Sequence, residues 1–300
     1  MMRVGVVVTT YRRPDALELV LEGYARQELP PSEVLVADDG SGPDTAAVVE
    51  RMAAETGLPV VHVWHSDRGF QKTEILNRAI VASSCDYLIF TDGDCVPRRD
   101  FVARHARLAR PGCFLSGGYV RLGPATTAAL TRDDVRTGRA FEASWLAAQG
   151  TPLGRHRLRL LGGGAVPRVL DALTTTRPTW NGMSSSTWKA ELERINGFDL
   201  DFVYGGLDRE LGGRLENAGL KGVQVRHRAV VLHLHHERPY KDVETIRRQR
   251  ARRAEVKRTG LVRAPRGLAE LDDGVPHTVR RLGAAAAPDG PPELPVGGEP

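Results

Sequence analysis

Short runs of β-branched and other apolar residues alternate with helical segments over residues 4–90, and this alternation constrains the fold more than any other feature. The apolar runs are residues 4–9, 34–38, 59–64 and 87–90. They do not alternate between apolar and polar residues, as a strand with one solvent-exposed face would. Such continuous apolar runs are typical of parallel strands that are covered on both faces. Helical segments separate them at about 14–25, 44–55 and 73–82. The pattern predicts an α/β fold around four parallel strands.

Length, hydropathy and cysteine usage indicate the size and the compartment. The 300 residues, 41% of them hydrophobic, suffice for one large α/β domain or two closely joined halves. No run approaches the roughly 20 apolar residues of a membrane span, and the first residues lack the pattern of a signal peptide. The cysteines, Cys85, Cys95 and Cys113, are odd in number and lack CxxC spacing, which argues against disulfides or structural zinc. We expect a cytoplasmic protein.

Positive charge is concentrated near the carboxyl end. The net charge is +5, and residues 241–258 hold eight basic and three acidic side chains. We interpret this segment as a basic helix that faces solvent, an anionic acceptor or an anionic membrane surface. Nucleic acid is not an expected partner. Beyond about Asp273, a composition rich in Gly, Pro and Ala predicts a disordered tail.

Polar clusters follow three of the predicted strands. Their sequences are TTYRR, DDGSG and TDGDC. Open parallel sheets place ligands at the carboxyl ends of their strands, so the three clusters predict one shared site. Between about Gly117 and Pro178 the alternation fades, and only a helix near residues 139–148 is predicted there.

Asp92 and Asp94 are candidate ligands for a cation. They stand two residues apart after a buried strand, so extended geometry points both carboxylates to the same side. Mg²⁺ and Mn²⁺ prefer oxygen ligands and are often held by one or two carboxylates plus substrate phosphates. Gly93 would let a phosphate approach the backbone. In the later run LHLHHERP, imidazole suits Mn²⁺, and His235 is the predicted third ligand.

Asp208 is a candidate acid or base. Leu207, Leu211 and Leu215 form one stripe of a predicted helix over 207–217, which leaves Asp208 in the first helical turn after two glycines. Its carboxylate can face a cleft. The helix dipole also favours an acid there and would lower its pKa, so base action requires an opposing effect of burial or substrate.

Several segments in order resemble one family, the inverting GT-A glycosyltransferases, and within it bacterial polysaccharide-type enzymes whose second half is similar to galactosyltransferase carboxyl-terminal regions. The resemblance covers about residues 4–239. The segments that carry it are VVVTTYRRP, VADDGS, SDRGFQKTEILNRAI, YLIFTDGDC, NGMSSSTWKAELERINGFD, GGLDRE and LHLHHERP.

The resemblance implies roles for single residues. Thr9 and Tyr11 match positions that grip the nucleoside, and Asp39 matches the residue that reads the base, usually uracil. Lys72 matches a basic residue near the diphosphate or base. The remaining matches concern the ribose, the metal and the reaction: Asp92 and Asp94 match the DxD that contacts ribose and metal, His235 the late histidine ligand, and Asp208 the general base.

The implied activity is transfer of a sugar from a nucleoside diphosphate, a UDP-sugar for this family, to a hydroxyl of a glycan, lipid-linked or small-molecule acceptor. Asp208 would take the acceptor proton, Mn²⁺ or Mg²⁺ would neutralise the departing diphosphate, and the configuration would invert. Leu207 departs from the pattern, because the family usually has Glu there to hold sugar hydroxyls. Three aromatic residues could form a sugar platform: Trp180, Trp188 and Tyr204.

Two other functions compete with this interpretation. A nucleotidyltransferase should have a Gly-rich phosphate loop after its first strand, which TTYRRP lacks. A binding protein that has kept the fold but lost turnover is compatible with Leu207.

The expected architecture is a Rossmann-like GT-A fold with a mostly parallel sheet and flanking helices, a helical extension and a tail. The expected divisions are a nucleotide-sugar-binding half over 1–115, an acceptor-binding and catalytic-base half over 116–240, a basic helical extension over 241–272, and a disordered tail over 273–300.

Overall fold

The computed structural model describes residues 2–237 and 243–286. Its strands are β1 Val4–Thr10, β2 Glu33–Asp38, β3 Val60–His65, β4 Tyr87–Asp92, β5 Cys95–Pro97, β6 Cys113–Ser116, β7 Gly118–Arg121, β8 Ser185–Trp188, β9 Lys221–Gln224, β10 Val230–His233 and β11 His277–Leu282. Its α-helices are α1 Pro14–Ala25, α2 Pro43–Thr56, α3 Lys72–Ala82, α4 Phe101–Leu108, α5 Pro124–Ala129, α6 Arg132–Thr137, α7 Ala143–Ala148, α8 Ala165–Leu173, α9 Lys189–Arg194, α10 Leu207–Asn217 and α11 Val243–Thr259. Short 3₁₀ helices occur at Arg139–Phe141, Gly154–Leu160, Leu268–Glu270 and Gly283–Ala286.

The large sheet has the strand order β11-β3-β2-β1-β4-β8-β6-β9. Its centre, β3-β2-β1-β4, is parallel throughout. The four predicted parallel strands and the α/β class are therefore confirmed. Strand β8 runs antiparallel to both β4 and β6 and so links the first half of the chain to the second.

Both faces of the central sheet are covered. Val6 and Val8 belong to an apolar cluster with Leu17 of α1, whereas Val7 belongs to a second cluster with Ile75 of α3. All five side chains are fully buried, and each such burial stabilises the fold by about 1.5–3 kcal/mol. This two-sided burial is why the strands read as continuous apolar runs.

A smaller sheet, β5-β10-β7, connects the end of β4 to the later histidines. β5 follows β4 after a two-residue turn, and β10 pairs antiparallel with it, so that His233 lies opposite Cys95. The Leu234 N–H donates to the Asp94 carbonyl at 2.9 Å. Residues about 140 positions apart thus meet at one turn.

The region without periodicity contains four short helices, α5 to α8, and one strand. The predicted helix at 139–148 is a 3₁₀ turn followed by α7. Specific polar contacts hold this region in place. Thr131 and Asp134 form a capping box at the start of α6, and Arg132 pairs with Glu22 of α1 at 2.8 Å.

Two strands, β11 and β6, lie across or beyond the expected divisions of the chain. Residues His277–Leu282 form β11, which pairs antiparallel with β3 along the sheet edge, so the structured chain extends past the predicted start of the tail. The last part of that tail, 287–300, lies outside the described residues. The predicted division at 115/116 falls inside β6, and both halves contribute strands to both sheets. Within the described ranges, no helix combines the length and apolar character of a membrane span.

Candidate active site

One cavity of about 1410 Å³ opens at the carboxyl ends of β1, β2 and β4. Residues of all three polar clusters line it, and the start of α10 and one face of α11 close it from the other side. Seven of the eight residues assigned by sequence surround this one space: Thr9, Tyr11, Asp39, Lys72, Asp92, Asp94 and Asp208. The eighth, His235, does not line it.

Lys72 and Thr9 hold the Asp92 carboxylate. The Lys72 ammonium donates to Asp92 Oδ1 at 2.5 Å and the Thr9 hydroxyl donates to the same oxygen at 3.0 Å. Burial raises the pKa of Asp92, but the Lys72 charge outweighs it and the pKa lies below its ordinary value. Burial lowers the pKa of Lys72, but Asp92 and Asp208 outweigh it and raise that pKa. Both groups are therefore charged at neutral pH.

Gly93 lies directly against the end of β1. Its N–H donates to the Thr9 carbonyl at 2.6 Å, and a Cβ on Gly93 would lie 2.8 Å from that oxygen. Glycine is thus required for the packing of this turn itself, as well as for any close approach of a phosphate.

Asp94 lies beside His236. His236 Nε2 is 3.3 Å from Asp94 Oδ2, and the rings of His233 and His236 stack with centroids 5.4 Å apart. The ligand atoms of Asp94, Cys95 and His233 lie within 4.8 Å of one another. A carboxylate and imidazoles therefore converge where the sequence predicts a cation.

The structure places His235, the predicted third ligand, outside the cavity. β10 ends at His233, so the two-residue alternation of a strand does not continue to His235. His235 is exposed, and its N–H donates to the Thr127 hydroxyl at 2.9 Å. The chain turns there and directs His236 into the cavity instead.

The tautomers of the two inward histidines follow from their neighbours. His233 Nδ1 is 2.8 Å from the Leu234 carbonyl and His236 Nδ1 is 2.9 Å from the Glu237 carbonyl. A carbonyl only accepts, so both Nδ1 atoms carry hydrogen, which leaves Nε2 of each ring as the atom that can bind a cation. His236 Nε2 faces Asp94 Oδ2, so the imidazole and the carboxylate can share one cation.

Cys95 is a weak candidate ligand. Burial, with the neighbouring Asp94 and Asp92, raises the pKa of its thiol well above the ordinary value. A thiol that stays protonated contributes little to a metal site. The remaining carboxylate and imidazole donors suit Mn²⁺ or Mg²⁺ better than a soft ion.

Asp39 and Tyr11 line the donor end of the cavity. His65 Nε2 donates to Asp39 Oδ1 at 2.8 Å, and the Gln71 N–H donates to Oδ2 at 3.1 Å. Burial raises the pKa of Asp39, and these donors act against that rise. The Tyr11 hydroxyl donates to Asp67 at 3.1 Å, and its ring is 44% exposed, so a flat ligand can stack on it.

Asp208 stands in the first turn of α10, as predicted from the helical stripe. Its Oδ1 is buried and has no hydrogen-bond partner among the described residues. Burial raises the pKa of this carboxyl to about 6, with Asp92 adding to the rise and Lys72 opposing it. Burial thus outweighs the helix dipole, and Asp208 is an ionised, poorly solvated acceptor at neutral pH.

Leu207 belongs to the core. Its side chain is 5% exposed and packs in a cluster with Leu211 and Leu215. Of the three aromatic residues, Tyr204 lines the cavity and packs edge-on against Phe70 at 5.9 Å. Trp180 is buried at the cavity floor, and Trp188 packs on Tyr87 away from the cavity.

Further residues reach the cavity through chain pairing and packing. The run LHLHHERP offered three histidines, and the β5–β10 pair brings His233 and His236 to the cavity rather than His235, while the loop before α3 brings Phe70. Two arginines of α11, Arg250 and Arg253, also line the cavity, in the segment predicted to face solvent, an anionic acceptor or a membrane. Their helical spacing of three was a usable signal, but the face they share depends on packing against α10.

Comparison with known proteins finds a match to one family over part of the chain. Residues 5–129 match Glycosyl transferase family 2. The sequence matches none of the curated proteins with which it was compared. The family match supports glycosyl transfer.

Solved structures share the fold at low sequence identity. The mannosyltransferase PcManGT from Pyrobaculum calidifontis, in complex with GDP-Man and Mn²⁺, has a TM-score of 0.53 and 22% identity over 89% of this chain and 66% of its own. S. aureus TarS 1–349 in complex with UDP has a TM-score of 0.56 and 14% identity, over 90% of this chain and 68% of its own. The chain thus spans just under two thirds of the mannosyltransferase. It has the GT-A fold of glycosyltransferases, and its residues 5–129 match glycosyl transferase family 2.

Proposed function

We propose that this chain transfers a sugar from a nucleoside diphosphate, UDP by the residue pattern, to an acceptor hydroxyl with inversion. One observation carries the proposal. Asp208, whose carboxyl has a pKa of about 6, lines the cavity with Asp92 and Lys72, and its buried Oδ1 has no hydrogen-bond partner in the described part of the chain. A base with that pKa is ionised at neutral pH and can still accept a proton.

Asp208 acts in the reaction as the base. It takes the proton of the acceptor hydroxyl as the acceptor oxygen attacks the anomeric carbon and the bond from that carbon to the diphosphate breaks. A single attack from the face opposite the leaving group inverts the configuration. The departing diphosphate needs positive charge rather than a proton, and the Lys72 ammonium supplies charge beside Asp92.

The cation site fits Mn²⁺ or Mg²⁺. Asp94 and His236 would hold the ion, with His233 beside them. When bound, the ion would supply Lewis-acid charge to the diphosphate. Support comes from His236 Nε2, which lies 3.3 Å from Asp94 Oδ2, and from the His233 ring stacked beside it.

In this proposal the nucleotide-sugar donor binds at Asp39 and Asp92. Tyr11 and Thr9 contact the nucleoside, Asp39 reads the base and Asp92 the ribose. Support comes from solved structures of the same fold, one in complex with GDP-Man and Mn²⁺ and one with UDP. The acceptor is a glycan, a lipid-linked sugar or a small molecule, in the synthesis of a polysaccharide, glycolipid or related conjugate.

The second half of the chain would then bind the acceptor, and the 1–115 half the donor. The exposed residues of α11, such as Arg247 and Arg248, offer a peripheral contact with an anionic membrane at the cytoplasmic face. The apolar burial of Leu207 favours a second function, nucleotide-sugar binding without turnover, because that residue cannot hold a sugar hydroxyl.

The test is release of nucleoside diphosphate from a panel of nucleotide sugars with Mn²⁺, using sugars or water as acceptor. We expect Asp208→Asn to lower turnover by about 10²–10⁴-fold while donor-induced thermal stabilisation remains. Asp44→Asn is the matched control, since Asp44 occupies the same position in the first turn of α2 but is exposed. Unchanged turnover in Asp208→Asn would disprove the base assignment, and pyrophosphate release from a nucleoside triphosphate would indicate a nucleotidyltransferase.

A further inference from the structure

Three arginines gather on the acceptor side of the cavity. Arg209 is the third residue of α10 and lies in its first turn. Arg250 and Arg253 lie one helical turn apart on α11. All three line the cavity that contains Asp208. We call them the arginine cluster.

Among the described residues, no member of the arginine cluster forms an ion pair, although the charge of Arg209 acts on the neighbouring Asp208. The neighbouring Arg252 shows the contrast, because it lies 3.2 Å from Asp201 and 3.7 Å from Asp199.

Like charges face one another within the cluster. Burial lowers the pKa of Arg253, and the charges of Arg209 and Arg250 lower it further. Keeping three guanidinium groups together without an anion raises the energy of the folded state, and a bound anion would remove that cost.

Packing fixes the cluster next to the candidate base. Gly205, just before α10, allows α11 to approach closely: a Cβ on Gly205 would lie 3.0 Å from Ile246, and Gly206 lies against Gln249. Gln249 is 1% exposed in that contact. Arg209 is close enough to Asp208 to lower its pKa.

We propose that the arginine cluster binds an anionic group of the acceptor, a phosphate or a carboxylate, and thereby holds the acceptor hydroxyl near Asp208. This inference rests on the proposed function. Guanidinium groups recognise both anions through paired N–H donors, which a neutral sugar does not engage. The diphosphate of the donor has its own positive charge at Lys72 and at the Asp94 cation site, so the cluster serves a second anion.

The experiment titrates inorganic phosphate, and in a separate arm sodium acetate, into the full chain at constant ionic strength. The donor end is first occupied with Mn²⁺ and the nucleotide that stabilises the chain most. The test variant is Arg250→Gln with Arg253→Gln. The matched control is Arg247→Gln with Arg248→Gln, which removes the same charge from exposed α11 positions that do not line the cavity.

We expect the test variant to weaken phosphate or acetate binding by about tenfold or more and the control by less than about twofold. Arg209→Gln, on a different helix, should weaken it as well. The arm that responds more strongly identifies the anion. In the same preparations, the wild-type chain and the control should use acceptors that carry the anion with a higher kcat/KM than neutral acceptors. The test variant should lose this preference.

Two results would overturn the inference. One is a wild-type chain that takes up neither anion while nucleotide is bound. The other is an equal loss in both double variants, which would indicate the general surface attraction expected for an anionic membrane. If nucleotide binding and release persist in either case, the proposed function stands. If no nucleotide sugar binds but the variants still differ, the proposed function fails and the anion site remains.

Discussion

The surroundings of Asp208 compensate its charge only in part, because Lys72 and Arg209 do not offset the effect of burial. Its carboxyl pKa, about 6 in the fold against an ordinary 3.8, means that ionisation destabilises the folded state. The cost is fully present above about pH 6 and disappears as the pH falls towards 4, where the unfolded chain is protonated too. We expect Asp208→Asn to raise the free energy of unfolding by about 1–2 kcal/mol near pH 8 and by nothing near pH 4. Urea unfolding at the two pH values measures this, and a loss of stability near pH 8 would contradict it.

His236 and His235 offer a paired test of the cation site. We expect His236→Ala to weaken Mn²⁺ affinity by about tenfold or more, because its free Nε2 faces Asp94. His235→Ala should leave it unchanged, since that side chain is exposed and outside the cavity. The measurement is Mn²⁺-dependent thermal stabilisation with nucleoside diphosphate present. Equal effects of the two variants would exclude His236 as a ligand.

Single side chains were predictable where they follow a strand or start a helix. Asp92, Asp94 and Asp208 reach the cavity because local geometry alone decides their direction. His235 was misplaced because its direction depends on where β10 stops, which pairing with β5 determines. The roles of the site residues in binding and turnover stay predictions.

Among the elements, α10 depends on one buried ion pair. Arg214 lies 2.5 Å from Glu210, donates to the carbonyls of Ile195 and Gly197 at 2.8 and 2.7 Å, and is fully buried. Removing it leaves a buried carboxylate and two carbonyls unpaired.

We expect Arg214→Ala to lower the free energy of unfolding by about 3–5 kcal/mol. Arg258→Ala removes an arginine from an exposed pair with Glu255 and should cause no measurable change in stability. Denaturant midpoints of the two variants provide the comparison. A small loss in Arg214→Ala would mean that water reaches this pair.

Elements with strong periodicity were predicted almost to the residue. α1 and α10 have the expected bounds, and the basic segment is the helix α11. The helices within residues 117–178 could not be predicted. They are short, and polar contacts such as the one between Arg132 and Glu22 fix them. Such contacts join distant positions, so no local period signals them.

At the scale of the whole molecule, β11 covers the edge of the large sheet. It pairs with β3 over six residues, and Arg281 and Arg280 bind Glu33 and Glu50 at 3.0 and 2.6 Å. A chain that ends at Pro276 should be less stable than one that ends at Ala286 by about 2–5 kcal/mol.

The shorter chain should also associate with itself through the uncovered β3 edge. Urea unfolding and light scattering at matched concentration measure the two effects. Identical midpoints for both chains would show that β11 adds nothing to the fold. Sequence composition could not reveal this strand, because its partner lies more than 200 residues earlier and its own burial pattern is mostly exposed.

Because β5 pairs with β10, a fragment limited to the family-matched residues 5–129 would lose half of this strand pair. A fragment made of residues 5–129 alone would keep Asp94 but would lack β10, which carries His233, and the residues after it, which include His236. Such a fragment would lack part of the proposed cation site. Under the proposed function, donor binding therefore requires residues from both parts of the chain.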